Sequence, residues 1–195
     1  MLKVLRSTDG GRSWETIGID RSRQQVACPE FAGCPAAFFG PQIAVASDDN
    51  GRVSVLWNAS ERNGRPARLY FRWSDDNGES WSLPRKLARK PRTDHEFRMM
   101  TATGSGDVRI AWMDDRTDRW NTFYKSSTDG GETWTARQRL SNRSGGAPYK
   151  SARGFRFPYG DYGQLAIDGN GDTQATWGEN RSYIGPGGSW YARGA

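Results

Sequence analysis

Apolar and polar residues alternate with a period of two along most of this chain, the signature of β-strands with one buried face. The clearest run is Gln42-Ile43-Ala44-Val45-Ala46, a turn from Ser47 to Gly51, and then Arg52-Val53-Ser54-Val55-Leu56-Trp57. Alternation around an Asp-Asn-Gly turn is the strongest short-range hairpin signal, because Asn and Gly accept the positive φ that tight turns need. A loop from Asn58 to Arg68 leads to a third strand, Leu69 to Trp73, and Ser80 to Leu87 reads as a fourth. The order then repeats. Phe97 to Ala102 pairs across Thr103–Asp107 with Val108 to Trp112, followed by strands at Thr122–Ser126 and Thr133–Leu140. A last copy runs Gly163 to Ile167, turns through Asp168–Asp172, continues as Thr173 to Trp177 and ends with Ser189 to Arg193. Ahead of these copies, Leu2–Arg6 and Glu15–Ile19 form an isolated pair, separated from the first hairpin by the long loop from Asp20 to Pro41. The pattern predicts an all-β chain: a half unit at 1–19, full units at 42–87 and 97–140, and an incomplete unit at 162–195. No apolar run approaches the ~18 residues of a membrane-spanning helix, so no span is expected.

One turn punctuates the pattern three times. It reads Ser7-Thr8-Asp9-Gly10-Gly11-Arg12-Ser13-Trp14, Ser74-Asp75-Asp76-Asn77-Gly78-Glu79-Ser80-Trp81 and Ser127-Thr128-Asp129-Gly130-Gly131-Glu132-Thr133-Trp134. The shared Ser-x-Asp-x-Gly-x-Ser/Thr-Trp suits a hairpin: the Asp carboxylate closes the turn on backbone N–H groups, and the Gly supplies positive φ. The Trp opens the next strand and buries a large ring.

This motif resembles the Asp-box of the sialidase-like β-propeller superfamily, also called the BNR repeat. The resemblance implies blades of four strands, with each box between the third and fourth. It makes Asp9, Asp76, Asp129, Trp14, Trp81 and Trp134 structural. Because sialidases resemble six-bladed propellers, the chain reads as a partial, C-terminal fragment of about three to four blades. The missing blades belong to a longer reading frame or are supplied by another chain. Met1 to Leu5 reads as strand rather than as a secretory leader.

Composition adds less. Net charge is +6, from 28 Lys+Arg against 22 Asp+Glu, which favours anionic partners. The arginines are scattered through loops, so an acidic glycan is expected as partner and nucleic acid is not. Cys28 and Cys34 share one loop and suit a local disulfide in an oxidising compartment. Two sulfurs without nearby His make a poor zinc site, and neither a metal nor a cofactor is expected. The family resemblance and the cysteine pair together imply an extracellular or periplasmic protein.

Candidate chemistry lies on the face opposite the boxes, where second-to-third-strand loops and unit-to-unit connections meet. After each second-strand Trp stand an acidic residue and an arginine: Glu61-Arg62, Asp114-Asp115-Arg116 and Glu179-Asn180-Arg181. Sialidases grip the substrate carboxylate with three arginines, because the guanidinium fork matches a carboxylate bidentately. They use a Tyr nucleophile assisted by Glu, with Asp as acid/base. By this resemblance Arg62, Arg116 and Arg181 are substrate-binding, Tyr162 (or Tyr183) and Glu179 form the nucleophile pair, and Asp115 is the acid. The competing reading makes the repeated acid–Arg pairs locks between neighbouring units. The loop Gly154 to Gly163 adds Arg156 and Asp161 as binding residues, its Arg156-Phe157-Pro158 resembling a sialidase arginine segment. Asp168-x-Asn170-x-Asp172 looks like a calcium loop but occupies the position of the earlier hairpin turns, so it reads as a turn. His95, the single histidine, is weak evidence for acid/base work. Two functions follow as expectations: an exo-glycosidase acting on anionic, sialylated glycans, or a non-catalytic propeller binding glycan or protein.

Overall fold

The computed structural model describes residues 1–21, 23, 42–88, 90–117, 120–142, 163–179 and 188–194. Every regular element among them is a β-strand, and every sheet is antiparallel. The first sheet pairs β1 (Leu2–Arg6) with β2 (Glu15–Asp20). The second runs β3 (Ile43–Ser47), β4 (Val53–Ser60), β5 (Ala67–Ser74), β6 (Arg85–Ala88) in spatial order. The third repeats this with β7 (His95–Thr103), β8 (Asp107–Asp114), β9 (Asn121–Ser127) and β10 (Gln138–Arg139). The fourth holds β11 (Gly163–Ile167), β12 (Thr173–Glu179) and β13 (Gly188–Gly194). The innermost strands are neighbours, β7 touching both β3 and β11. No helix among the described residues is long and apolar enough to cross a membrane.

The outer strands are shorter than the alternation predicts. Ser82 N–H donates to Trp73 O at 2.8 Å, but the return bond from Trp73 N–H goes to Ser82 Oγ at 3.0 Å. Thr135 does the same on Ser126, at 2.9 and 3.0 Å. A hydroxyl standing in for a carbonyl breaks the ladder after one bond, and Pro84 has no N–H to resume it. Regular pairing restarts only at Arg85 and Gln138.

Three apolar layers lie between the four sheets, and each is centred on a second-strand tryptophan. Trp57 packs with Val55, Ala59, Tyr70 and Trp81 against Leu2, Val4, Ile17 and Ile19 of the first sheet. Trp112, Val108, Ile110 and Phe123 meet Leu56, Leu69 and Phe71. Trp177, Leu165 and Ala175 meet Phe97, Met99, Ala111 and Met113. Period-two alternation makes this possible: Leu56 faces the next sheet while Val55 and Trp57 face the previous one.

The box tryptophans join the same layers. Trp134 meets the Phe71 ring edge-on at 5.2 Å, and Trp81 sits in the layer around Trp57. Trp14 differs from the expected burial, being 60% exposed, because its sheet packs on a described neighbour through the opposite face only.

Inside each box the bonding is identical. Ser74 Oγ donates to Asp76 Oδ1 at 2.6 Å and accepts from Gly78 N–H at 2.7 Å. Asp76 in turn accepts Ser80 N–H at 2.9 Å and Ser80 Oγ–H at 2.5 Å, while Trp81 Nε1–H caps Gly78 O at 3.1 Å. Donors aimed at the charged form hold Asp9 down at about 2, the hydroxyl and N–H of Ser13 contributing most, and hold Asp76 and Asp129 lower still.

Two predictions follow from this packing and bonding. Gly11 and Gly131 share a left-handed φ (87° and 92°), but a Cβ at Gly131 would strike the Phe71 ring whereas one at Gly11 would rest 3.5 Å from Trp14. Gly11→Ala should cost the backbone strain alone, about 1–2 kcal/mol in urea unfolding. Gly131→Ala should cost about 1–3 kcal/mol more, the overpacking contribution. The box carboxylates have folded pKa values below the unfolded ~3.9, so their contribution is complete above pH 4 and is lost as pH falls towards and below 2. Replacing their hydroxyl donors (Ser13→Ala, Ser80→Ala, Thr133→Val) should lower stability at pH 5 and flatten its fall between pH 4 and 2.

Candidate functional site

The two ends of the sheet array differ in kind. At the box end, hairpins and boxes are stitched together through backbone groups. Asp49 N–H donates to Gly104 O at 2.9 Å, Gly104 N–H returns to Asp49 Oδ2 at 2.6 Å, and Gly130 N–H meets Gly106 O at 2.8 Å. Arg52 bonds Asp75 at 2.6 Å and Gly130 O at 3.2 Å. The calcium-like loop is one of these closures: Asp168 Oδ1 accepts Asn170 N–H and Asp172 N–H, as Asp48 Oδ1 accepts Asn50 N–H and Arg52 N–H. Its carboxylate oxygen is spent inside the turn.

At the opposite end, polar side chains from neighbouring sheets converge. The β7 register slips between Glu96 and Met99, and Phe97 takes a left-handed φ of 49°. Such a conformation is unusual for a bulky residue, and bulges redirect side chains. Here the slip sends Arg98 towards the second sheet. Arg98 Nη1 donates to Asn58 Oδ1 at 2.6 Å and Nη2 donates to Gln42 Oε1. Asn58 Nδ2 donates to Glu96 Oε2, and Gln42 N–H also reaches Asn58 Oδ1, at 3.1 Å. Arg98 Nε is buried with no hydrogen-bond partner among the described residues. Burial pulls the guanidinium down to about 10, partly offset by the Glu96 charge, so it stays cationic at neutral pH.

Beside this group lies a second polar layer. His95 is fully buried, its Nδ1 2.8 Å from Ala67 O and its Nε2 3.9 Å from Asp114 Oδ2. Burial holds the imidazole down at about 4, so it is neutral and Nδ1 carries the proton donated to Ala67 O. Asp114 accepts Trp112 Nε1–H at 2.8 Å and a two-pronged contact from Arg116. Arg116 lies over the Phe123 ring at 4.5 Å. Asp115 Oδ1 accepts Asp94 N–H at 2.9 Å, and Asp94 Oδ1 accepts Ala67 N–H at 2.7 Å. Burial, with Asp94 beside it, pushes Asp115 up to about 6; burial also raises Asp94.

The residues expected from sequence separate accordingly. Asp115 sits at this end, tied to the connection before β7. Arg116 is committed to Asp114 and Phe123, in the outer half of its sheet. Arg62 is exposed on the β4–β5 loop, where the preceding Glu61 pairs with Lys86 instead. The repeated acid–Arg motif is therefore not one geometry in every sheet. Glu179 ends β12. Tyr162, Tyr183, Arg156, Asp161, Arg181, Cys28 and Cys34 lie outside the described residues. Gln42, Asn58, Glu96 and Arg98 were not singled out from sequence. The available signal was a charged pair, Glu96 and Arg98, inside an otherwise apolar inner strand.

A family model described as BNR/Asp-box repeat matches residues 72–83 and 125–136. The chain is similar to a sialidase of Bacteroides fragilis, 28% identical over 159 residues, which are 67% of this chain and 28% of that protein. Among solved structures, it resembles the Hadza microbial sialidase, with a TM-score of 0.54 at 22% identity over 97% of this chain and 37% of that one. It also resembles the GH93 α-L-arabinofuranosidase of Fusarium graminearum, with a TM-score of 0.58 at 14% identity over 98% of this chain and 54% of that one. The chain thus spans about a quarter to a half of the length of these proteins. At such identities the structural likeness is one of fold, and the two solved enzymes act on different sugars within it. Repeat, relative and fold agree: the chain carries Asp-box (BNR) repeats on a sialidase-like β-propeller fold.

Proposed function

We propose that the end opposite the Asp-boxes binds an anionic glycan, with Arg98 gripping its carboxylate, as part of a sialidase-like exo-glycosidase. The observation that carries this reading is the setting of Arg98. Its hydrogen bonds go to the neutral amide oxygens of Asn58 and Gln42, the nearby Glu96 acts on it through charge while Oε2 accepts from Asn58, and Nε is buried with no hydrogen-bond partner among the described residues. A cation held this way in a dry setting is preorganised for an incoming carboxylate.

Asp115 suits the acid role, because a carboxyl held near 6 is protonated under mildly acidic conditions and could protonate a leaving glycosidic oxygen. Tyr162 with Glu179 supplies the nucleophile in this reading, and Arg62, Arg156, Arg181 and Asp161 supply further substrate contacts. Arg116 serves by holding Asp114. Further blades complete the ring, and an extracellular or periplasmic setting gives access to glycans.

A second reading, non-catalytic binding of glycan or protein on the same face, is favoured by one observation. Asp94 and Asp115 both accept backbone N–H bonds, so each already has a structural task. Turnover separates the two.

The full chain should be assayed on 4-methylumbelliferyl sialoside across pH 4–7, with sialic acid binding measured in parallel. Arg98→Gln should weaken binding about 10–100-fold, the value of a charge-assisted hydrogen bond, while Arg98→Lys should retain part of it. Asp115→Asn should abolish turnover and spare binding. Binding without turnover in the wild type favours the second reading. Unchanged binding in a folded Arg98→Gln variant refutes the assignment of this site.

A further inference from the structure

The outer edges of the second and third sheets carry a basic strip that no role above uses. Residues 85–92 contain Arg85, Lys86, Arg89, Lys90 and Arg92 with no Asp or Glu among them. Arg85 and Lys86 lie on β6, and both are exposed, as are Lys90 and Arg92 in the connection that follows. On the next sheet, Arg137 and Arg139 are exposed at β10. Lys86 and Arg139 hold equivalent ladder positions, opposite Tyr70 and Phe123 respectively.

The two edges are physically joined. Lys90 Nζ donates to Arg116 O at 3.0 Å, and Arg116 and Arg137 both lie over Phe123, at 4.5 and 5.2 Å. The crowding is felt electrostatically: after burial, the charge of Arg116 lowers Arg137, and that of Arg137 lowers Lys125. The outer strand of the first sheet differs, since β2 (Glu-Thr-Ile-Gly-Ile-Asp) has two acids and no Lys or Arg.

We propose that this strip docks a carboxylated polysaccharide. Spaced, solvent-exposed cations match a polymer bearing one charge per sugar better than they match a single small anion. The strip also leads to the candidate site: Lys90 and Arg92 stand in the connection that continues through Asp94 into Glu96 and Arg98. That continuity rests on the glycan reading above, whereas the charge argument does not.

Nucleic acid fits less well, because single strands need open aromatic platforms. Here Phe123 is covered by Arg116 and Arg137, and Trp73 lies between Arg52 and Arg85, at 5.3 and 4.9 Å. A membrane surface would want an apolar wedge beside the cations, and Leu83 is one exposed leucine rather than a face.

The test uses the full chain and fluorescent polygalacturonate, a carboxylated polymer without sialic acid. The variant Lys90→Gln/Arg92→Asn/Arg137→Gln/Arg139→Gln should lose about tenfold or more in affinity, as four surface charge contacts would give. Asparagine is chosen at 92 because Arg92 has a φ of 59°. A control with the same change in net charge, Lys3→Gln/Arg12→Gln/Arg21→Gln/Arg65→Gln, should lose less than about threefold, since it removes only long-range attraction. The quadruple strip variant should keep wild-type binding of the small sialoside, which spans no more than the candidate site, so failure of the strip and failure of the site are distinguishable. Equal losses in the two quadruple variants would overturn the proposal. So would absence of wild-type binding, or tighter binding to a DNA duplex or to phosphatidylserine vesicles than to the polysaccharide.

Discussion

The structure depends on the wedging of large aromatic side chains between successive sheets. Trp57, Trp112 and Trp177 occupy the same place on β4, β8 and β12, and each is almost wholly buried against the preceding sheet. Truncating such a residue typically costs about 3–5 kcal/mol, a large part of a domain's net stability. A four-stranded sheet with two apolar faces cannot stay folded alone, so the wedges make every sheet conditional on its neighbour. The boxes extend this logic to the rim. Trp81 and Trp134 reach the same layers, and the Ser–Asp–Gly bonding fixes where each indole sits.

Repetition limits where function can reside. Residues that recur from sheet to sheet are consumed by the sheet: the box aspartates by their own turns, Asp48 and Asp168 by their hairpins, the tryptophans by the apolar layers. The end opposite the boxes is assembled instead from residues, Gln42, Asn58, Glu96 and Arg98, that bond across two sheets rather than within one turn. Arg98 exists as a presented cation because β7 slips register beside a strained Phe97. Strain of this kind persists only where surrounding packing enforces it, and Phe97 is pinned among Met99, Met113 and Trp120.

Much of the fold was legible because its signals are local. Period-two alternation marked the strands, and Asp-Asn-Gly and Ser-x-Asp-x-Gly marked the turns. The fourth strands were overextended because a hydroxyl replacing a carbonyl in the ladder, as at Ser82 and Thr135, has no period. Trp14 was expected to be buried from its motif, whereas burial depends on what stands beside the sheet. The site was less legible. The offset to Trp112 put forward Asp115, which accepts Asp94 N–H, and Arg116, whose partner is its near neighbour Asp114. Glu96 and Arg98 leave a charged mark on an inner strand, but nothing in that mark shows that a bulge turns Arg98 towards the neighbouring sheet. The basic strip joins residues 90 and 137 across two sheets, and scanning the chain for charge runs does not see such pairings.

The two ends of the array therefore divide the work of the molecule. The box end spends its polar groups on backbone partners within turns, leaving little for a ligand to gain by displacing them. The other end spends its polar groups on one another: His95 on a carbonyl, Asp114 on Arg116, Arg98 on two amides. Of these, amide oxygens are the partners an incoming carboxylate can replace at least cost, since exchanging a neutral acceptor for a charged one strengthens the bond. An arginine paired to a buried carboxylate, as Arg116 is to Asp114, would have to abandon a charge in a dry setting to greet a ligand. That difference in partner, rather than position in a repeated motif, is what separates Arg98 from Arg116 in this structure.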